Sequence, residues 1–120
     1  MPVYTTIGTV VSLGPGYPAF TLFDGTETPV QGLASKPFAR ATKGSDDVGS
    51  SFLALGMPSD MVIDVQAANE NLDASYITTQ SITSDTDGKG GATEPGRSQF
   101  YRLKISVYTT GAMPVVTVSR

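Results

Sequence analysis

Residues Phe100 to Arg120, FYRLKISVYTTGAMPVVTVSR, decide the fold. Tyr101, Leu103, Ile105 and Val107 alternate with Arg102, Lys104, Ser106 and Tyr108, the two-residue period of a strand with one buried and one wet face. Thr109 to Ala112 interrupt that pattern with turn-like composition. Val115 to Ser119 then resumes it, with Val116 and Val118 on one side and Thr117 and Ser119 on the other. The expectation is a hairpin that places Leu103, Ile105, Val107, Val116 and Val118 in a core and leaves Arg102, Lys104 and Tyr108 on the wet face.

Working outward from this pair, the chain alternates short β-rich runs with turn signals. Val3 to Leu13 has strand parity, weakened at Gly8, and reads equally as an extended N-terminal arm over residues 1–13 that folds against a neighbour. Leu13-Gly14-Pro15-Gly16-Tyr17-Pro18 continues no regular structure. Ala19 to Phe23 is a short strand closed by the tight-turn dipeptide Asp24-Gly25. Thr26 to Asp47 has no clear period and reads as a long loop. It carries Lys36, Arg40 and Lys43, a small basic cluster that either faces an acidic partner or is a solvated loop balanced by Asp46 and Asp47.

Ser50 to Leu55 adds a strand. Met61 to Ala67 is a clear one, with Met61, Ile63, Val65 and Ala67 facing one way. Ala68 to Ser75 is too short and polar for a stable helix, so it joins two strands. Tyr76 to Ile82 reads as a polar edge strand. Ser84 to Ser98, with four Gly and almost nothing apolar, reads as a loop that is flexible or ordered by a partner. Seven strands at short intervals define an all-β chain with one domain over 14–120: an antiparallel β-sandwich of jelly-roll or Ig-like type with long loops.

Composition agrees and narrows the chemistry. A chain of 120 residues can bury roughly 60–70% of its unfolded surface without a covalent staple. It contains no cysteine and no histidine, which removes thiolate nucleophiles, disulfides and the commonest metal ligands and neutral-pH acid–base groups. Eight Lys and Arg against eleven Asp and Glu, thinly spread, give a net charge of −3 and no basic stripe for nucleic acid. No apolar run approaches the ~20 residues that cross a bilayer. The N-terminus lacks the pattern of a secretion signal, so synthesis in the cytoplasm is expected.

No catalytic, cofactor or metal residues are assigned. Asp85-Thr86-Asp87-Gly88 opens like a calcium loop, but the closing Glu is missing and a solvated turn is the better reading. Carboxylate pairs lack an aromatic, substrate-gripping context. Serines lack both a histidine and a nucleophile elbow. Among Tyr4, Tyr17, Tyr76, Tyr101 and Tyr108, which could stack on a sugar, Tyr101 follows the buried parity of its strand and Tyr108 the exposed one, which leaves Tyr108 as the credible contact.

A strand ending in VQAANENLD, a polar strand, a Gly-rich excursion and the closing FYRLKISVYTTGAMPVVTVSR together resemble small β-sandwich accessory proteins of tailed-bacteriophage virions. The resemblance covers Met61 to Arg120. It implies a capsid decoration or cement protein, not an enzyme, bound to the major capsid protein or other virion proteins and located in the virion. Independently of the resemblance, a chain with few means of chemistry and long loops suits an assembly component, and segments 1–13, 26–47 and 84–98 are expected to become ordered at subunit contacts, in a symmetric homo-oligomer such as a trimer or on a lattice. The alternatives are a tail or head–tail accessory, or a carbohydrate-binding module, since the closing pattern also resembles discoidin-like sandwiches. The candidate partner contacts are Val3, Tyr4, Tyr17, Lys36, Arg40, Lys43, Arg102, Lys104 and Tyr108.

Overall fold

A computed structural model describes residues 11–12, 20–39, 50–94 and 98–119. Nine strands lie among them: β1 (Val11–Ser12), β2 (Phe20–Asp24), β3 (Phe38–Ala39), β4 (Ser50–Leu55), β5 (Val62–Ala68), β6 (Ile77–Thr83), β7 (Lys89–Glu94), β8 (Phe100–Val107) and β9 (Val115–Ser119). They form a five-stranded sheet of order β1-β3-β8-β5-β6 and a four-stranded sheet of order β2-β9-β4-β7. Every pairing is antiparallel except that of the two-residue strands β1 and β3. The protein is all-β, as its alternation requires.

The two sheets meet through one continuous core. Ile63, Val65, Ile82, Tyr101, Leu103 and Ile105 face inward from the first sheet and Phe23, Phe52, Ala54, Val116 and Val118 from the second. The ring of Phe38 bridges them, 5.9 Å from that of Phe52 in the opposite sheet and 5.8 Å from that of Tyr101 in its own. Each fully buried aliphatic side chain here contributes about 1.5–3 kcal/mol by leaving water.

The closing stretch is not a hairpin. β8 lies between β3 and β5 in one sheet, and β9 lies between β2 and β4 in the other. With both edges of each strand occupied, the chain crosses from sheet to sheet through the segment 108–114, where Met113 is buried. Gly111 makes the crossing possible: its φ is +119°, and a Cβ there would lie 2.6 Å from Pro58 Cγ. Inward parity also ends before the strand does. Val107, expected in the core, is exposed, because a register irregularity between Val62 and Ile63 shifts the end of the β5–β8 ladder.

Two strands fall in stretches that read as loops. Lys89 to Glu94 pairs along the whole of β4, from Leu55↔Lys89 to Ser50↔Glu94, so the part of 84–98 described is ordered by its own domain. Its glycines are what hid it, and they are structural. A Cβ on Gly90 would lie 2.4 Å from the carbonyl oxygen of Thr83 and 2.8 Å from Ile82 Cγ2, so β7 can approach β6 only at a bare backbone. Gly90→Ala is expected to lower stability by about 1–2 kcal/mol through this overpacking, read as a drop in the midpoint of a urea melt.

The other missed element lies within 26–47. Leu33, Ala34, Ser35, Pro37 and Phe38 are buried, and the segment from Gly32 runs along β8. Gly32 N donates to the Ile105 carbonyl at 2.7 Å, and Ser35 N donates to that of Leu103 at 2.8 Å. The Ser35 hydroxyl accepts from Leu103 N at 2.9 Å, standing in for a backbone acceptor. No helix among the described residues is long and apolar enough to cross a membrane.

Candidate functional site

The outer face of the β5–β6–β8 sheet is a locked polar network. Arg102 alternates with inward-facing Tyr101 and Leu103, so it points outward, yet only 3% of it is exposed. The loop after β5 folds over it. Its guanidinium carbon stacks 4.2 Å from the centre of the Tyr76 ring, its Nε donates to Gln66 Oε1 at 2.8 Å, and its Nη1 donates to Asp73 Oδ1 at 2.6 Å. Asp73 opens a single 3-10 turn, Asp73–Ser75, and is itself 58% exposed on its side chain. Arg102 points to the outer face as its strand parity requires, but the covering loop makes it a clamp between loop and sheet and not a wet-face contact.

The network extends across the sheet. Gln66 Nε2 donates to Thr78 Oγ1 at 3.3 Å, and Thr78 Oγ1 donates to Asp64 Oδ2 at 3.2 Å. Asp64 Oδ1 accepts from Ser81 Oγ at 2.8 Å and from Ser106 Oγ at 3.0 Å. With its carboxylate answered by three hydroxyls, this face is arranged to rigidify the sheet.

Tyr76 shows the electrostatic consequence. Burial pushes its phenol up to about 12, against the pull of the Arg102 cation and with a smaller push from the Asp73 carboxylate. Its hydroxyl donates to Asn71 Oδ1 at 2.7 Å. An unfolded tyrosine loses its proton near pH 10, so between about 10 and 12 the unfolded chain releases a proton that the folded one keeps. Tyr76 thus favours the folded state below pH 10, and that contribution fades as pH rises through 12. In an alkaline absorbance titration of native protein one tyrosine should ionise late, and Tyr76→Phe should remove that late step.

The remaining sequence candidates scatter. Lys36 is exposed on the ordered segment beside β8, between buried Ser35 and Pro37. Lys104 is half-buried and bridges in register to Ala34. Tyr108 is half-buried: it packs on the core, and its hydroxyl donates to the Gly111 carbonyl at 2.9 Å, so it braces the sheet crossing. Val3, Tyr4, Tyr17, Arg40 and Lys43 lie outside the described residues. Asp85, the head of the half calcium loop, gives one carboxylate oxygen to the amides of Asp87 at 2.8 Å and Lys89 at 3.0 Å. Those bonds, the Lys89 amide foremost, hold its carboxyl below the ordinary value and serve the β6–β7 turn. Among the described residues no group of three acidic side chains converges on a metal position.

Sequence reading missed the outer face of the four-stranded sheet. Register places its outward side chains in rows across β2, β9, β4 and β7: Asp24, Val115, Leu55 and Lys89 in one, and Thr21, Thr117, Leu53 and Gly91 in the next. A third row, Ser119, Ser51 and Thr93, completes it. Leu53 is 59% exposed, Leu55 53% and Val115 38%. Gly91 adds no side chain beside Leu53, so the leucines stand clear on a flat floor of small residues. Such a patch binds protein more readily than any small polar ligand.

No family model, curated protein or solved structure matches this chain. The fold is a β-sandwich whose four-stranded sheet exposes Leu53, Leu55 and Val115 on its outer face.

Proposed function

We propose that this chain is a non-enzymatic structural protein of a tailed-phage virion, a decoration or cement protein that binds and stabilises the capsid lattice through the major capsid protein. The observation that carries the reading is the outer face of the β2-β9-β4-β7 sheet, where two leucines and a valine are spread flat on adjacent strands. A globular protein that works alone gains nothing from holding Leu53 and Leu55 in water, and an assembly component covers them. The rest of the surface suits such a role. The polar face of the other sheet is stiffened by its own hydrogen bonds, and Lys36 is presented on a segment fixed to β8. A rigid block with shallow contacts reinforces a lattice because many weak bonds act together on it.

Cosedimentation with mature capsids of the parent phage tests the reading. Saturable binding that raises the temperature at which the capsids disrupt is expected; protein left in the supernatant at every capsid concentration overturns it. Tyr108 spends its ring and hydroxyl internally, so the glycan-binding alternative draws no support from it.

A further inference from the structure

The row Asp24–Val115–Leu55–Lys89 has a symmetry property that names an occupant for the exposed face. Its ends are opposite charges on the two outer strands, and its middle is two apolar side chains on the two inner strands. Rotating a second copy by a half-turn about an axis parallel to the strands, between β9 and β4, exchanges β2 with β7 and β9 with β4. That operation lays Asp24 of each copy over Lys89 of the other, and Val115 of each over Leu55 of the other. In the next row it sets Leu53 over Thr117, and Thr21 over the gap left by Gly91. We infer that the outer face of the β2-β9-β4-β7 sheet is the two-fold interface of a homodimer, formed by aligned face-to-face packing of the two copies' sheets.

Each part of the match rests on the chain's own groups. Aligned sheets pack about 10 Å apart with side chains interleaved, a spacing that Leu53 and Leu55 fill against the smaller Val115 and Thr117. The charges are in place to pair. Asp24 is fixed by its turn: its Oδ1 accepts from the Thr26 amide at 2.9 Å and hydroxyl at 2.6 Å. Those bonds, the hydroxyl first, hold its carboxyl below the ordinary value and so in the anionic form. Lys89 is exposed at the opposite corner. A two-fold interface satisfies both corners with one contact made twice. A large acidic or basic partner would answer only one of them.

Size decides how tight the contact is. Four strands at about 4.8 Å spacing and six residues at about 3.3 Å rise give a face of roughly 400 Å². This is well under the ~800 Å² per partner of a stable complex, so the dimer is weak and concentration-dependent. On a lattice, where neighbours are held close, a weak two-fold contact is enough. The inference rests on the proposed function only in that this face is covered by protein in the assembly; it assigns that cover to a second copy and leaves any capsid contact to the rest of the surface, where Lys36 is exposed.

Sedimentation velocity of the full chain over ~10 μM to ~1 mM, a range spanning weak dissociation constants, tests it. The expected result is a reversible shift from monomer to dimer that Leu55→Asp abolishes. Circular dichroism should show that variant still folded, since Leu55 is exposed. Lys89→Asp and Asp24→Lys should each weaken association roughly tenfold at low salt, and the double swap should restore it, because the swap returns opposite charges to both corners. Asp24→Lys also loses its turn bonds, but so does the double swap, which makes restoration specific to the intermolecular pair. A monomer at every concentration, a trimer, a dimer indifferent to Leu55→Asp, or a swap that fails to restore overturns the inference. A dimer that ignores capsids overturns the virion reading alone. Capsid binding by a chain that never dimerises overturns the two-fold alone.

Discussion

Ile105→Asp is expected to leave the domain unfolded, whereas Val107→Asp, two residues along the same strand, is expected to fold and melt within about 0.5 kcal/mol of the parent. Ile105 is fully buried at the centre of the β8 inner face, and its amide is tied to the Leu33 carbonyl at 2.8 Å. Removing its side chain costs about 2–5 kcal/mol in lost packing. The incoming carboxyl finds no partner among Ile63, Leu103 and their neighbours. It either stays charged at a cost of several kcal/mol or is held neutral at a cost of similar size. Together these match or exceed the whole stability of a domain of this length, about 5–15 kcal/mol. Val107 is 42% exposed and turns its side chain to water. Far-ultraviolet circular dichroism and urea melts of the two variants separate the outcomes. A folded Ile105→Asp protein, or a strongly destabilised Val107→Asp one, would mean that the inner parity of β8 is misplaced.

That contrast also marks how far the sequence could be read. Tyr101, Leu103, Ile105, Val116 and Val118 were legible because a strand buried on one face writes its core in every second letter. Val107 and Arg102 were not, for opposite physical reasons. At Val107 the ladder shifts register, so parity stops predicting depth. At Arg102 parity is right about direction, but a loop whose Asp73 lies 29 residues away in sequence folds over the outward face. The hairpin reading failed because alternation reports which face is buried and says nothing of which sheet holds the strand. The seven-residue connection 108–114, longer than the usual two to five of a hairpin, was the available signal for a crossing.

Composition misled in a different way at β7. GGAT looks like a loop because Gly has no side chain to bury, yet the close approach of β7 to β6 demands Gly90. At β4 the difficulty is reversed. SSFLAL offers Leu53 and Leu55 or Phe52 and Ala54 as the buried pair, and hydrophobicity alone favours the leucines. The fold buries Phe52 because its ring meets Phe38 from the opposite sheet, and the leucines are left outside. The candidate docking face was therefore invisible until the register of four strands distant in sequence set its rows side by side.

Asp73→Ala should cost about 3 kcal/mol, far more than its exposure suggests, while Arg102→Met in the same background should recover most of the loss. An exposed carboxylate that pairs with an exposed cation is worth about 0–1 kcal/mol. Here the two partners differ: Asp73 is more than half exposed, and Arg102 is almost fully buried. Among the described residues, deleting Asp73 leaves Gln66 Oε1 and the Tyr76 ring to answer the guanidinium. The cost falls at the low end of the range for breaking a buried pair because water can enter where the carboxylate stood. Deleting Arg102 instead leaves Asp73 free to hydrate, and the loss there is packing over Tyr76. Methionine replaces much of that volume with a flexible apolar chain and lifts the requirement for a counter-charge. The double variant should therefore lie closer to the parent than Asp73→Ala alone, a coupling that a double-mutant cycle of urea melts measures directly. Additive losses would mean that Arg102 holds the loop by its stem and stacking alone, and that the 2.6 Å ion pair contributes no more than a surface contact.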